Sequence, residues 1–204
     1  MIEPVARLKI TLADIQPAIW RRVDMPLSAN FRALHDVIQA AFGWENRHLF
    51  EFRLGGKVYG EPTPDDALFG KKVSRARNLR LAMVIERGVD RFDYVYDFGD
   101  DWCHEVVIES IFQGDPETDY PMFVDAARLA PPEDIGGPPG FAEFVEAMAD
   151  PAHAQHADLL RWHGEVFDPE ALDRRRIEVE IATIAEFRRR ALEGHRSRRR
   201  NAAD

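Results

Sequence analysis

Residues 94–105, YVYDFGDDWCHE, crowd three aspartates, the sole cysteine, a tryptophan, a histidine and a glutamate around one glycine. Acids and an imidazole this close together are the raw material of a metal centre or an acid–base pair. His48, ahead of the segment FEFRL, could join them, as could Glu133 and Asp134 in PPEDIGG. His48, His104 and Asp134 would offer two imidazoles and a carboxylate to a divalent metal, with coordination positions left open. Glu133 would then serve as base for a metal-bound water, which describes a metal-dependent hydrolase. Tyr96 and Trp102 complete the candidate pocket of His48, Tyr96, Trp102, His104, Glu133 and Asp134.

No local spacing such as HExxH ties these residues together. Strand alternation weighs against a metal within the 94–105 segment itself. Phe92, Tyr94, Tyr96 and Phe98 alternate on one strand, and Trp102, His104, Val106 and Ile108 alternate on the next. A three-residue loop, Gly99-Asp100-Asp101, would pair Phe98 with Trp102, Tyr96 with His104, Tyr94 with Val106 and Phe92 with Ile108. Asp97 would face Cys103, and Val95 would face Glu105, on the opposite side of the sheet. Asp97 and His104 then point apart. His104 is expected in the core, satisfied by a hydrogen bond, while Asp97 and Glu105 are expected on a solvated face. Asp100 and Asp101 are turn residues, Asp101 in the left-handed conformation. Acids flanking Cys103 disfavour its thiolate, so a nucleophilic role is not expected. His153 and His156 share a helical spacing and are expected at the surface. LGGKVYG is a hairpin turn rather than a phosphate loop, and no nucleophile elbow of the GxSxG type occurs.

The elements that must position these residues follow from periodicity. VARLKITL and AIWRRVDM form strands around the turn DIQP, and HLFEFRL and KVYG form a second hairpin around Gly55-Gly56. Asn30 caps a helix over residues 31–42, with Phe31, Leu34, Val37, Ile38, Ala41 and Phe42 as its apolar stripe and Gly43 as its end. A short helix is expected over residues 79–85 and an acidic loop over 61–72. After Phe112 the chain loosens into QGDPETDYP and the proline- and glycine-rich LAPPEDIGGPPGF, a candidate Ω-type functional loop. FAEFVEAMAD is a helix, another opens at Pro151, and the last starts at Asp168-Pro169 and runs to about Leu192.

Composition sets the outer limits. The 204 residues are 45% hydrophobic, enough for a sizeable core. One cysteine excludes an intramolecular disulfide and a multi-cysteine zinc site. No apolar run approaches the roughly 18 residues of a membrane span, and MIEPVARLKI does not read as a signal peptide. A cytoplasmic protein with no membrane partner is expected. The net charge of −9 is unevenly spread. Residues 174–204 hold ten arginines and five acids, so residues 1–173, with 17 basic and 31 acidic side chains, carry −14. The acidic body repels nucleic acid, whereas the tail over Arg188–Arg200 could attract nucleic acid or a protein partner.

The segments LKITLADIQPAIWRRV, LHDVIQAAFGWENRHLFEF, YVYDFGDDWCHEV, YPMFVDAARLAPPEDIGGPPGFAEF and GEVFDPEALD, in that order, resemble the plasmid pRiA4b ORF-3-like family. The resemblance covers residues 4–173. It implies an α+β fold in which a mixed, largely antiparallel sheet with hairpins is packed by helices, with a helical C-terminal part. It also implies association with mobile elements, some members being labelled resolvase-type passenger proteins, and brings no established activity. Relatives carry Cys where this chain has Ala130 and, in some, Ile135, so any thiol site of theirs is missing here. They commonly carry Gly where this chain has Asp101, which fits a left-handed turn position. One domain is expected over residues 1–173, with an extension over 174–204 consisting of a helix and an arginine-rich, disordered tip.

Three functions remain in view. The preferred one is a non-catalytic binding or accessory module, whose aromatic pocket and PPEDIGG loop recognise a protein or nucleic acid. The metal-dependent hydrolase is the alternative. The third is a structural assembly subunit using the stripe Ile177, Ile181, Ile184 and Leu192 of the last helix.

Overall fold

Period-two alternation makes the first strand one-sided: Leu8, Ile10 and Leu12 point into the core, while Arg7, Lys9 and Thr11 stay half-exposed. The same logic repeats across a computed structural model of the chain, which describes residues 3–201, without the side chains of residues 67 and 195–201. Strands β1 (Pro4–Leu12), β2 (Trp20–Pro26), β3 (Phe50–Leu54), β4 (Lys57–Gly60), β5 (Val73–Arg75), β6 (Arg91–Tyr96), β7 (Trp102–Gln113) and β8 (Met122–Ala127) form one sheet. Their order is β5-β4-β3-β6-β7-β1-β2-β8. Every neighbouring pair is antiparallel except β4 and β5. Helices α1 (Phe31–Phe42), α2 (Pro64–Leu68), α3 (Leu81–Ile85), α4 (Gly137–Ala149), α5 (His156–His163) and α6 (Arg174–Asn201) accompany it. The architecture is α+β, as expected. No described helix is long and apolar enough to cross a membrane.

Helix α1 shows how local chemistry places the site. The Asn30 side chain accepts a hydrogen bond from the Ala33 N–H (2.9 Å) and so fixes the start. At the other end Gly43 adopts φ 75° and its N–H returns to Ala40 O, which stops the helix and throws the chain toward Trp44. The expected apolar stripe is buried against the sheet, where Phe31 meets the Phe52 ring edge-on at 4.8 Å between centroids. Arg21, itself buried, donates to Ala41 O (2.6 Å), Trp20 O and Ala127 O, and so ties the C-terminal end of α1 to β2 and β8.

Several boundaries differ from the expectations. Strand β8 and the short β5 were not expected. β8 is an edge strand of mixed polarity whose Asp125 reaches Arg174 at 2.7 Å, so it carries no clean alternation. Helix α2 lies inside the expected loop over 61–72. Helix α4 starts at Gly137, with Pro138 and Pro139 in its first turn, where no amide donor is needed. Helix α5 starts at His156, after turns that follow Pro151. Helix α6 starts at Arg174 rather than near Asp168, because Asp173 takes the Arg176 N–H at 2.9 Å while Asp168 serves a preceding turn.

Helix α6 packs on α1 and β8, with Ile177 and Ile181 buried, so that part of its stripe faces its own domain. It continues to Asn201. Arg188 pairs with Glu3, Arg189 with Asp119 and Glu193, and Arg190 with Glu186. The side chains of Arg196, Arg198, Arg199 and Arg200 lie outside the described residues, as does the tip over 202–204.

Candidate functional site

The β6–β7 hairpin pairs Tyr96 with Trp102, Tyr94 with His104 and Phe92 with Val106. This is a two-residue slip from the expected register, because the loop holds five residues, 97–101, rather than three. A slip of two leaves every side chain on its expected face. Asp101 adopts φ 54°, the left-handed position anticipated for it. Asp97 also adopts a positive φ, 58°, and therefore leaves the strand alternation. Its expected place on a solvated face is corrected: its side chain is only 10% exposed. Its N–H bonds Leu49 O at 2.9 Å, and one carboxylate oxygen accepts the Gly99 N–H at 2.9 Å. Glu105 stays exposed and pairs with Arg91.

His104 and Trp102 lie in the core. His104 Nδ1 faces the carbonyl oxygens of Trp102 (3.0 Å) and Tyr94 (3.3 Å), so that nitrogen carries the proton. Burial pushes its pKa down to about 3, keeping the ring neutral. Phe42 and Trp44 meet it edge-on. His104 Nε2 is buried without a partner, but the donor atoms gathered with His48 are those of Asp97 and Asp134, so the ligand set His48, His104 and Asp134 is corrected at His104. Trp102 stacks at 6.2 Å on Trp44, beneath the site.

The segment that carries His48 is held by an unusual density of polar contacts. Trp44 stacks on Phe42 and Tyr96, both at 5.1 Å, and its indole N–H donates to Pro131 O at 2.9 Å. Asn46 adopts φ 56°, accepts from His35 Nε2 (2.7 Å) and donates its N–H to Gln39 Oε1 (2.9 Å). The Tyr94 hydroxyl closes the ring by donating to His35 Nδ1 (2.8 Å) and accepting from Gln39 Nε2 (3.0 Å). Burial pushes His35 down to about 3, so the imidazole is neutral and both ring nitrogens are used. The Tyr96 hydroxyl then accepts from the N–H groups of Arg47 (3.0 Å) and His48 (3.4 Å) and donates to Glu133. Burial, and then the bond to Glu133, raise the Tyr96 pKa and keep it a phenol. His48 thus sits in a pinned loop ahead of β3 rather than on the strand.

The PPEDIGG loop is pinned against the same hairpin. Glu133 also accepts from the Glu45 N–H at 3.2 Å. The Gly136 N–H donates to Asp100 Oδ2 at 3.1 Å. A Cβ on Gly137 would fall 2.4 Å from Asp100 O, so only glycine permits this approach. Asp134 adopts φ 61° and projects outward, with its side chain 57% exposed.

These three pinned segments bring His48, Asp97 and Asp134 together. His48 Nε2 lies 3.1 Å from Asp134 Oδ1 and 3.5 Å from Asp97 Oδ2. One donor atom from each residue falls within 4.8 Å of the others. Beside them opens a cleft of about 510 Å³ between the C-terminal end of α1, the PPEDIGG loop and helices α5 and α6. Trp44, Arg47, Glu133, Asp134, Trp162 and Arg176 line it, with Arg21 also on its wall. Of the six candidate pocket residues, His48, the Tyr96 hydroxyl, Glu133 and Asp134 converge, while Trp102 and His104 support them from below.

The arrangement can hold a cation or a ligand, and it shows no activated nucleophile among the described residues. Burial, then Asp101, raise the Cys103 pKa, which disfavours the thiolate. His35 spends both ring nitrogens on internal hydrogen bonds, and His104 spends Nδ1 while its Nε2 lies buried without a partner. Asp97 was assigned from the sequence to a solvated face, and Trp44 and the ring of His35, Gln39, Tyr94 and Asn46 were not singled out as site residues. A signal for Asp97 was present: DFGDD is a run of residues tolerant of positive φ, and a longer loop there frees Asp97 from the strand.

The chain is 43% identical over 164 residues, 80% of its length and 83% of the relative, to the uncharacterized protein y4hQ of Sinorhizobium fredii (strain NBRC 101917 / NGR234). The crystal structure of MM3350 from Methanosarcina mazei Go1, a protein of unknown function, matches with a TM-score of 0.78 and 32% identity, over 86% of this chain and 97% of that one. Residues 4–176 match the plasmid pRiA4b ORF-3-like proteins, and the chain belongs to that family.

Proposed function

We propose that the protein is a non-catalytic binding module whose recognition site is the cleft beside the PPEDIGG loop. One observation carries the reading: the cleft is concave, of ligand size, and lined by aromatic faces and charges of both signs on pinned walls. Trp44, on the cleft wall, is locked by its stacking on the buried Tyr96 and its bond to Pro131 O, so a ligand would meet a preorganised surface there. Trp162, half-exposed at the mouth, offers a stacking face. Hydrolysis through His48, His104 and Asp134 is not favoured, because the donor atoms grouped with His48 are those of Asp97 and Asp134 rather than His104.

Nucleic-acid capture through the tail finds no support in Arg188, Arg189 and Arg190, each of which is matched by a carboxylate. Accessory service to a mobile element, beside a resolvase-type recombinase, belongs to the same reading and rests on the family resemblance alone. A cytoplasmic setting, in which Cys103 stays reduced, is part of the reading and rests on composition.

A thermal-shift screen of small molecules that combine an apolar body with a charged group tests the proposal. Wild type is compared with Trp162→Ala and Arg176→Ala. A compound that stabilises wild type, loses its effect in both variants and is recovered unchanged supports the reading. Equal stabilisation of all three proteins, or consumption of the compound, overturns it.

A further inference from the structure

We propose that His48, Asp97 and Asp134 form a binding site for one divalent transition-metal cation of the zinc or manganese type. The inference goes beyond the cleft reading and does not depend on it, since the metal alone is the ligand. It rests on the convergence of three chain segments.

Three observations carry it. The first is distance. Metal–nitrogen and metal–oxygen bonds of about 2.0–2.2 Å place neighbouring ligand atoms roughly 3.0–3.4 Å apart. His48 Nε2 lies 3.1 Å from Asp134 Oδ1 and 3.5 Å from Asp97 Oδ2, so small side-chain adjustments reach a bound geometry.

The second is unmet bonding capacity. His48 Nε2 is shielded from solvent and makes no hydrogen bond, although two carboxylates lie within reach. The nine-tenths buried Asp97 side chain spends Oδ1 on the Gly99 N–H, which orients the group and leaves Oδ2 aimed at His48. Among the described residues, no lysine or arginine nitrogen pairs with either carboxylate within 4.0 Å, and Arg47 acts on Asp134 only at longer range. A neutral imidazole and two carboxylates total −2, the charge a divalent cation neutralises.

The third is the placement of the two aspartates by the backbone. Asp97 and Asp134 both adopt positive φ, 58° and 61°. Aspartate tolerates this region better than most residues, and here it turns each carboxylate out of its strand or loop toward His48. The chain places two carboxylates this way next to one imidazole, and locks the two loops to each other through Asp100, Gly136 and Gly137. The ligand set mixes imidazole with carboxylate, which suits zinc or manganese better than magnesium or calcium. Three protein ligands leave positions open, and Asp134 is exposed, so a water or an oxygen of a cleft ligand could complete the shell.

Calorimetric titration of the metal-stripped full chain with Zn²⁺ and with Mn²⁺ tests the site, supported by loss of the free-Mn²⁺ EPR signal. Wild type should bind one equivalent of at least one of the two. Asp97→Asn and Asp134→Asn should each weaken binding by at least roughly 10-fold. Asparagine tolerates positive φ, so both variants keep the fold; circular dichroism checks this, and Asp134, being exposed, is the safer of the two. Asp65→Asn, in the separate acidic stretch of α2, should bind as wild type. No binding by wild type, undiminished binding by Asp97→Asn and Asp134→Asn, or equal loss in Asp65→Asn overturns the proposal. A cleft ligand found by the screen above, in a protein that binds no metal, would leave the module reading intact and remove this one.

Discussion

Removing one oxygen should loosen the whole site. Tyr96→Phe keeps the ring that stacks on Trp44 and deletes only the hydroxyl that joins the 43–49 loop to Glu133. The bond to the Glu133 carboxylate is charge-assisted, a class that contributes about 1.5–3 kcal/mol. The two backbone donors, Arg47 N–H and His48 N–H, are part-buried. Water can reach donors so near the surface, so together they add roughly 0.5–1 kcal/mol. The expected loss is about 2–4 kcal/mol, which for a chain of this length is a fall in Tm of roughly 4–16 °C. Glu133→Gln should cost less, about 1 kcal/mol, because the single amide oxygen can keep the Tyr96 bond while the exposed Glu45 N–H, which the other carboxylate oxygen served, turns to water. Urea unfolding followed by circular dichroism gives both values. A Tyr96→Phe protein within about 0.5 kcal/mol of wild type would refute the idea that this hydroxyl holds the loops together.

The two buried histidines make stability depend on pH. Both have folded pKa values near 3 against an ordinary 6.5, so the unfolded chain binds more protons between those values. Their contribution is complete above about pH 6.5 and shrinks as the pH falls. From pH 7 to pH 5 each should cost about 2 kcal/mol, roughly 4 in all; an unchanged urea midpoint at pH 5 would show that neither is held neutral. Trp102→Ala should cost about 3–5 kcal/mol as a deletion of a buried aromatic, and Glu105→Ala under about 0.5, since Glu105 is exposed. Equal costs in denaturant melts would contradict the facing of the hairpin. Asp101→Gly should be neutral or slightly stabilising, because φ is 54° and the carboxylate makes only a 3.8 Å contact with Cys103 Sγ. A loss above about 1 kcal/mol would show that this carboxylate does more.

Periodicity carried far through this chain. The stripe Phe31, Leu34, Val37, Ile38, Ala41 and Phe42 marked α1, and alternation marked β1, β2, β6 and β7, because burial on one face imposes those repeats. The facing of Tyr96, Trp102 and His104 survived a wrong register, since a slip of two residues preserves it. Strand β8 had no such signature. It lies at the sheet edge, and Asp125 within it serves Arg174 and Arg22.

Half of the site was legible in residue types and half was not. His48, Tyr96, Glu133 and Asp134 were singled out and do converge. Asp97 was missed because alternation extrapolated one residue past the end of β6 assigned it to the wrong face. His104 was grouped with His48 because composition cannot tell a buried imidazole bound to carbonyls from one facing a cleft. The pinning of the loops depends on Asn46, Gln39 and His35 meeting Tyr94 across the fold, contacts separated by up to 59 residues that no local pattern announces.

The most direct test of the central claim, that the three loops form one binding site, is residue-resolved. Substoichiometric Mn²⁺ added to ¹⁵N-labelled protein broadens amide resonances near the bound ion. Loss of signal should concentrate on residues 45–49, 96–101 and 131–137 and should weaken when Asp97 is replaced by Asn. Broadening centred elsewhere, as on the acidic stretch over residues 61–66, or spread evenly over the surface, would contradict it.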